Sequence, residues 1–151
     1  MTRPLLAALA LALLPLAACD LAPDVGPPQL ERCSNDDTDP AREVRWATDV
    51  APLFARDAVG CARCHDPSRA NPIGVQLSGL DLTSYAMTRA GGARSAQSIV
   101  LPGQPCDSIL YQKLTTGPPF GGRMPLDGPP YLSATELALV HDWIAEGAHE
   151  R

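Results

Sequence analysis

Cys61-Ala62-Arg63-Cys64-His65 puts two thiols and an imidazole within five residues. This is the C-x-x-C-H spacing of covalent c-type haem attachment. The chemistry requires that spacing. Two thiols separated by two residues can add to the two vinyl groups of one haem, and the adjacent imidazole is then held under the ring, where a nitrogen can bind iron. Five Cys and three His placed at random in the chain would produce the pattern roughly 0.003 times. Other uses of C-x-x-C fit less well. A thioredoxin-like motif needs a βαβ setting, and no strand-like alternation surrounds it. A zinc site of that kind wants a second Cys/His pair at ligand spacing downstream, and a plain disulfide leaves His65 without a purpose.

A haem iron held by one imidazole takes a second axial ligand, and the sequence offers Met87, Met124, His141 and His149. Met124 lies between Pro118 and Pro130 in a run so dense in Gly and Pro that it reads as a loop. Pro125 biases Met124 toward an extended backbone. A thioether displayed on a stiffened loop suits the distal position, whereas Met as a gap-filler belongs in an apolar core. Met87 falls in a short helix where core packing is expected. His141 and His149 read as a surface residue and a residue of the frayed end.

Four short helices would position these groups. Thr48 can cap a helix that starts at Asp49, buries Val50, Leu53 and Phe54, and leads into Cys61. A second covers about Thr83 to Ala90, before Gly91-Gly92. A third runs from Pro105 to Leu114. The last opens with Ser133-Ala134-Thr135-Glu136, an S-x-x-E capping box. Its Leu137, Val140 and Ile144 recur at helical spacing and are expected to pack against the first helix, with Gly147 as terminator.

The 151 residues make one domain's worth of chain, and 45% of them are apolar, enough for a single core. With 16 Pro and 12 Gly, the composition favours short helices and stiff loops over a coiled coil or a large sheet. A formal charge of −5 and a single Lys leave no means of neutralising phosphates, which excludes nucleic acid as an expected partner.

The amino terminus reads as an address. Leu5 to Leu16 is an almost unbroken Leu/Ala run, too short to span a bilayer but of signal-peptide length. Its ending, Leu16-Ala17-Ala18-Cys19, resembles the lipobox of bacterial lipoproteins, which implies cleavage before Cys19 and acylation of that residue. The multiple acyl chains so implied would anchor the protein at a membrane. Residues 1–18 are thus a lipoprotein signal peptide, and their removal takes away Arg3 and leaves a charge of −6. Residues 19–42, rich in Pro and Asp, read as a flexible tether, and residues 43–151 as the folded domain. Export implies an oxidising compartment, the periplasm or the outer face of a membrane. Once Cys19, Cys61 and Cys64 are assigned, Cys33 and Cys106 remain and are expected to pair. That bond would clip the tether to the domain and, by closing a 73-residue interval, contribute about 4 kcal/mol.

Several further motifs join the haem pentapeptide: Gly79-Leu80-Asp81-Leu82, Val100-Leu101-Pro102-Gly103, Ser108 to Leu114, Arg123-Met124-Pro125, and Leu132-Ser133 with Trp143-Ile144 and Gly147-Ala148. Together they resemble a class I cytochrome c domain, in the variant common in exported planctomycete and myxobacterial proteins. The resemblance covers about Val44 to Ala148. It implies an all-α, cytochrome c-like fold around one covalent haem c, with His65 proximal, Met124 distal, and electron transfer to and from partner proteins. It does not require Cys33 or Cys106. The expected function is a membrane-anchored electron carrier rather than an enzyme. Two alternatives are a haem-based enzyme subunit and a gas or redox sensor whose Met ligand dissociates.

Overall fold

A computed structural model describes residues 33–56 and 60–151, all within one compact unit that begins at Arg32. The expected signal peptide 1–18, the expected acylation site Cys19 and residues 19–32 of the expected tether lie outside the described residues. Among those described, the structure is helical and contains no strand: α1 (Ala51–Ala55), α2 (Ala62–His65), α3 (Ile73–Ser78), α4 (Tyr85–Ala90), α5 (Ile109–Leu114) and α6 (Ala134–Ala145). No helix among them is long and apolar enough to cross a membrane.

The longest helix starts as its sequence dictates. Ser133 Oγ accepts the Glu136 N–H while the Glu136 carboxylate accepts the Ser133 N–H, which closes the capping box on two otherwise orphaned donors. Just past its end, Gly147 takes φ = 105°, a conformation that a side chain would strain. Val140 and Ile144 are fully buried and α6 packs against the first helical segment, as expected from their spacing.

That first segment begins earlier than its sequence suggests. A π-helical turn, Trp46–Val50, precedes α1, and Thr48 does not cap it. The Thr48 hydroxyl instead donates to Asp49 Oδ2, and the same oxygen accepts the Arg45 N–H, so the acidic side chain folds back over the helix start. The third expected helix is interrupted. Pro105–Asp107 forms a 3-10 turn, Ser108 is extended, and α5 starts after it. The reason lies in the buried Ser108 hydroxyl. It accepts the Leu101 N–H at 2.8 Å, a tie to the preceding loop that a helix continued through Ser108 would forgo, and donates to the Gln104 carbonyl at 2.9 Å. Helix α3 is an addition to the four expected, with Ile73 and Leu77 exposed on one side of it.

The core gathers most of the chain's few aromatics around Trp46. Its ring centroid lies 5.6 Å from Phe54, 6.4 Å from Tyr85 and 5.4 Å from Trp143. Val44, Val50, Val100, Leu110, Leu114, Val140 and Ile144 complete this cluster. The carboxyl end is held in place, since the Trp46 and Ala47 amides donate to the His149 and Glu150 carbonyls.

Residues 33–46 are stitched to the C-terminal end of α6 and to the 3-10 turn Pro105–Asp107. Cys33 and Cys106 are joined by a disulfide with Cα atoms 5.7 Å apart. Thr38 donates twice to the Asp142 carboxylate, the Val44 amide donates to Glu146, and the Cys106 amide donates to Asn35 Oδ1. Burial raises the Glu146 carboxyl above its ordinary value. His141 is buried rather than on the surface. It spans its neighbour Asp142 (Nδ1···Oδ1 2.9 Å) and the Ser34 carbonyl (Nε2···O 2.7 Å), a partner that sequence spacing does not bring near it. Met87 departs the other way: it is exposed, not core.

Candidate functional site

Helix α2 is a single turn, and that shortness serves the site. The Cys64 and His65 amides both donate to the Cys61 carbonyl, at 3.1 and 2.9 Å. Residues three and four apart on a helix are neighbours, so Cys61, Cys64 and His65 share one face of this turn. Neither cysteine is in a disulfide. Cys61 is packed against the core, and burial pushes its thiol pKa up to about 12.

His65 is buried and held from behind. Its Nδ1 lies 2.9 Å from the Leu80 carbonyl, which can only accept, so Nδ1 carries the proton and Nε2 keeps the lone pair of the neutral ring. Burial lowers the pKa of the imidazole and outweighs the Leu80 bond and the nearby Asp81 charge, which act in the opposite direction. The neutral, ligating form is thereby favoured. In return, the His65 carbonyl accepts the Leu82 N–H, so the Gly79–Leu82 segment is tied to the turn at both points. Gly74 of α3 faces the other edge of the ring. A Cβ there would come within 2.6 Å of Cε1 and Nε2, so the close approach of α3 to the ring admits only glycine.

Met124 sits half-buried against the core on the loop that follows α5. Its amide donates to the Lys113 carbonyl at 2.7 Å. The chain's only lysine then clasps the loop: Lys113 Nζ donates to the Phe120 carbonyl at 2.7 Å and the Gly122 carbonyl at 2.5 Å. Arg123 adds a bond from Nε to the Leu114 carbonyl and stacks on the Tyr131 ring, 4.1 Å from its centroid. Turn and loop meet where Arg63, between the two cysteines, pairs with Asp127, three residues past Met124. Both partners are exposed, so the pair contributes little stability; its information is positional.

No family model, curated protein or solved structure matches the chain.

The site must therefore be judged on its own donors. Two unpaired thiols on one turn and an imidazole whose Nε2 keeps its lone pair are the donor set of a haem joined through Cys61 and Cys64 and ligated by His65. Met124, on the loop tethered to that turn, is the thioether available to the same group. A separate cleft of about 380 Å³, lined by Ala51, Ala55, Ala62 and Leu82 with the Asp66–Arg69 pair, contains none of the four. The sequence places Lys113 and Leu80 within the motifs above but assigns neither a role at the site. The lone Lys directly before the Gly/Pro-rich loop was the available signal for the first, whereas a main-chain carbonyl leaves no signal in residue type.

The clearance at Gly74 gives a direct expectation. Gly74→Ala should drive the new methyl into the imidazole and into the Cys64 carbonyl, 2.8 Å away, and so lower haem incorporation severalfold. Overpacking of this kind costs about 1–3 kcal/mol. Haem per chain, measured by absorbance against protein concentration, checks it, and incorporation equal to wild type would contradict the fit described.

Proposed function

We propose that the chain is a membrane-anchored monohaem c-type cytochrome that carries single electrons between partner proteins in a bacterial cell envelope. The observation that carries this reading is the α2 turn, with Cys61, Cys64 and a tautomer-fixed His65 on one face, salt-bridged through Arg63 to the Met124 loop. When bound there, haem supplies reversible one-electron exchange at iron, with a potential raised by His/Met ligation. The chain's own residues do the rest. Cys61 and Cys64 hold the group in register, and the Leu80 carbonyl keeps His65 Nε2 free to ligate. Lys113 and Arg123 restrain the loop so that the Met124 sulfur is offered rather than flexing into water. The apolar cluster around Trp46 limits water access from behind. A net negative chain suits a basic docking patch on a partner, with salt-sensitive encounters. The signal sequence and acylated Cys19 would keep these encounters at a membrane.

Met124→Ala tests the proposal. Reduced wild type should show a low-spin His/Met spectrum and bind carbon monoxide slowly. The variant should lose that spectrum and bind carbon monoxide rapidly. High-spin iron in resting wild type, or a spectrum unchanged in the variant, would contradict an electron carrier of this form.

A further inference from the structure

A second set of metal-ligating side chains lies where residues 33–46 cross α6, and it shares no residue with the haem site. Cys33, Cys106 and His141 are far apart in sequence, yet their ligand atoms all fall within 4.8 Å of one another. We propose that, after reduction of the Cys33–Cys106 disulfide, these three residues form a binding site for a thiophilic divalent cation of the zinc type.

The donors have the right chemistry. Two thiolates and one imidazole are a common donor set for zinc, which favours sulfur and nitrogen in tetrahedral array. The Ser34 carbonyl oxygen, 3.0 Å from Cys106 Sγ and 2.7 Å from His141 Nε2, can serve as a fourth donor. The imidazole is already oriented, with Nδ1 against Asp142 at 2.9 Å and Nε2 against the Ser34 carbonyl at 2.7 Å, so a cation taking Nε2 replaces the proton of that bond and meets the Ser34 oxygen in its place. A carboxylate behind a ligating histidine is the usual way to fix its orientation and raise its basicity. Asp142 is itself fixed by two bonds from Thr38. Cys33 is exposed, so a reductant can reach the disulfide.

The step balances with a dithiol as reductant. One thiolate of the dithiol attacks a disulfide sulfur to give a mixed disulfide, and its second thiol closes a cyclic disulfide and releases the chain. Two electrons and two protons pass to Cys33 and Cys106. Binding of the cation then displaces the two thiol protons and the His141 Nε2 proton that faces the Ser34 carbonyl.

Cobalt(II) titration of the full chain, with the disulfide intact and after reduction by a phosphine, tests the site. The reduced chain should take up one equivalent, with thiolate-to-cobalt charge-transfer absorption and displacement by zinc. In Cys61→Ser/Cys64→Ser, which removes the free α2 thiols, the disulfide form should take up none. His141→Gln and Asp142→Asn, which keep both cysteines, should weaken binding by about 10–100-fold. A reduced chain that merely unfolds and binds metal through loose thiols would show no such dependence. Cys106→Ser should abolish uptake, and Cys61→Ser/Cys64→Ser should retain it. No uptake on reduction, uptake insensitive to Asp142→Asn, or uptake lost in Cys61→Ser/Cys64→Ser would each overturn the proposal.

Discussion

The double variant Cys61→Ala/Cys64→Ala is expected to lose covalent haem completely while keeping its helices. Both thiols are needed for the two linkages, and neither Cys33 nor Cys106 can substitute for them, because they are joined to each other. The fold should survive because the hydrogen bonds that shape α2 are main-chain. The Cys64 and His65 amides still reach the Cys61 carbonyl, and the Leu82 amide still reaches His65. Trimming the partly buried Cys61 to Ala removes one sulfur from the edge of the core, which costs about 1 kcal/mol. Mass spectrometry after denaturation and far-ultraviolet circular dichroism check the two halves. Wild-type haem content in the double variant would contradict the assignment of α2.

The second large effect concerns stability. Trp143→Ala should destabilise the domain by about 3–5 kcal/mol, a large share of the roughly 5–15 kcal/mol typical of a whole domain. The indole is fully buried, tilted 45° against Trp46, and donates from Nε1 to the His149 carbonyl at 2.9 Å. Alanine leaves a cavity on α6 at the point where α6 meets the first helical segment, and it also unpins the carboxyl end. Trp143→Phe keeps much of the packing but loses the N–H, so it should cost less, the missing hydrogen bond contributing about 1 kcal/mol. Urea denaturation with the disulfide intact measures both. A loss below about 1 kcal/mol for the alanine variant would show that the Trp46–Trp143 stack is not central to the fold.

What could be read from sequence was what is local. The α6 start is written in four consecutive residues, and the Cys61–His65 pattern in five, because their interactions run between near neighbours. The loop around Met124 was legible from Gly and Pro, whose backbone limits act without tertiary help. The departures arise where a distant partner decides. Ser108 breaks its helix to serve Leu101. Asp49 displaces Thr48 as the group covering the first helix because the Arg45 amide and the Arg42 guanidinium both reach its carboxylate. His141 is buried because Ser34 lies against it from more than a hundred residues away. Helix α3 has too few residues and too mixed a pattern to announce itself, and its Gly74 makes sense only beside the His65 ring. The pairing of Arg63 with Asp127 likewise joins two segments that look independent in sequence.

The most direct test is the intact mass and visible colour of the chain purified from membranes of a host competent for lipidation and c-type haem maturation. The account predicts a red protein, cut at Cys19 and acylated, that retains one haem per chain after denaturation. A colourless protein whose mass equals polypeptide plus acyl chains alone would contradict it.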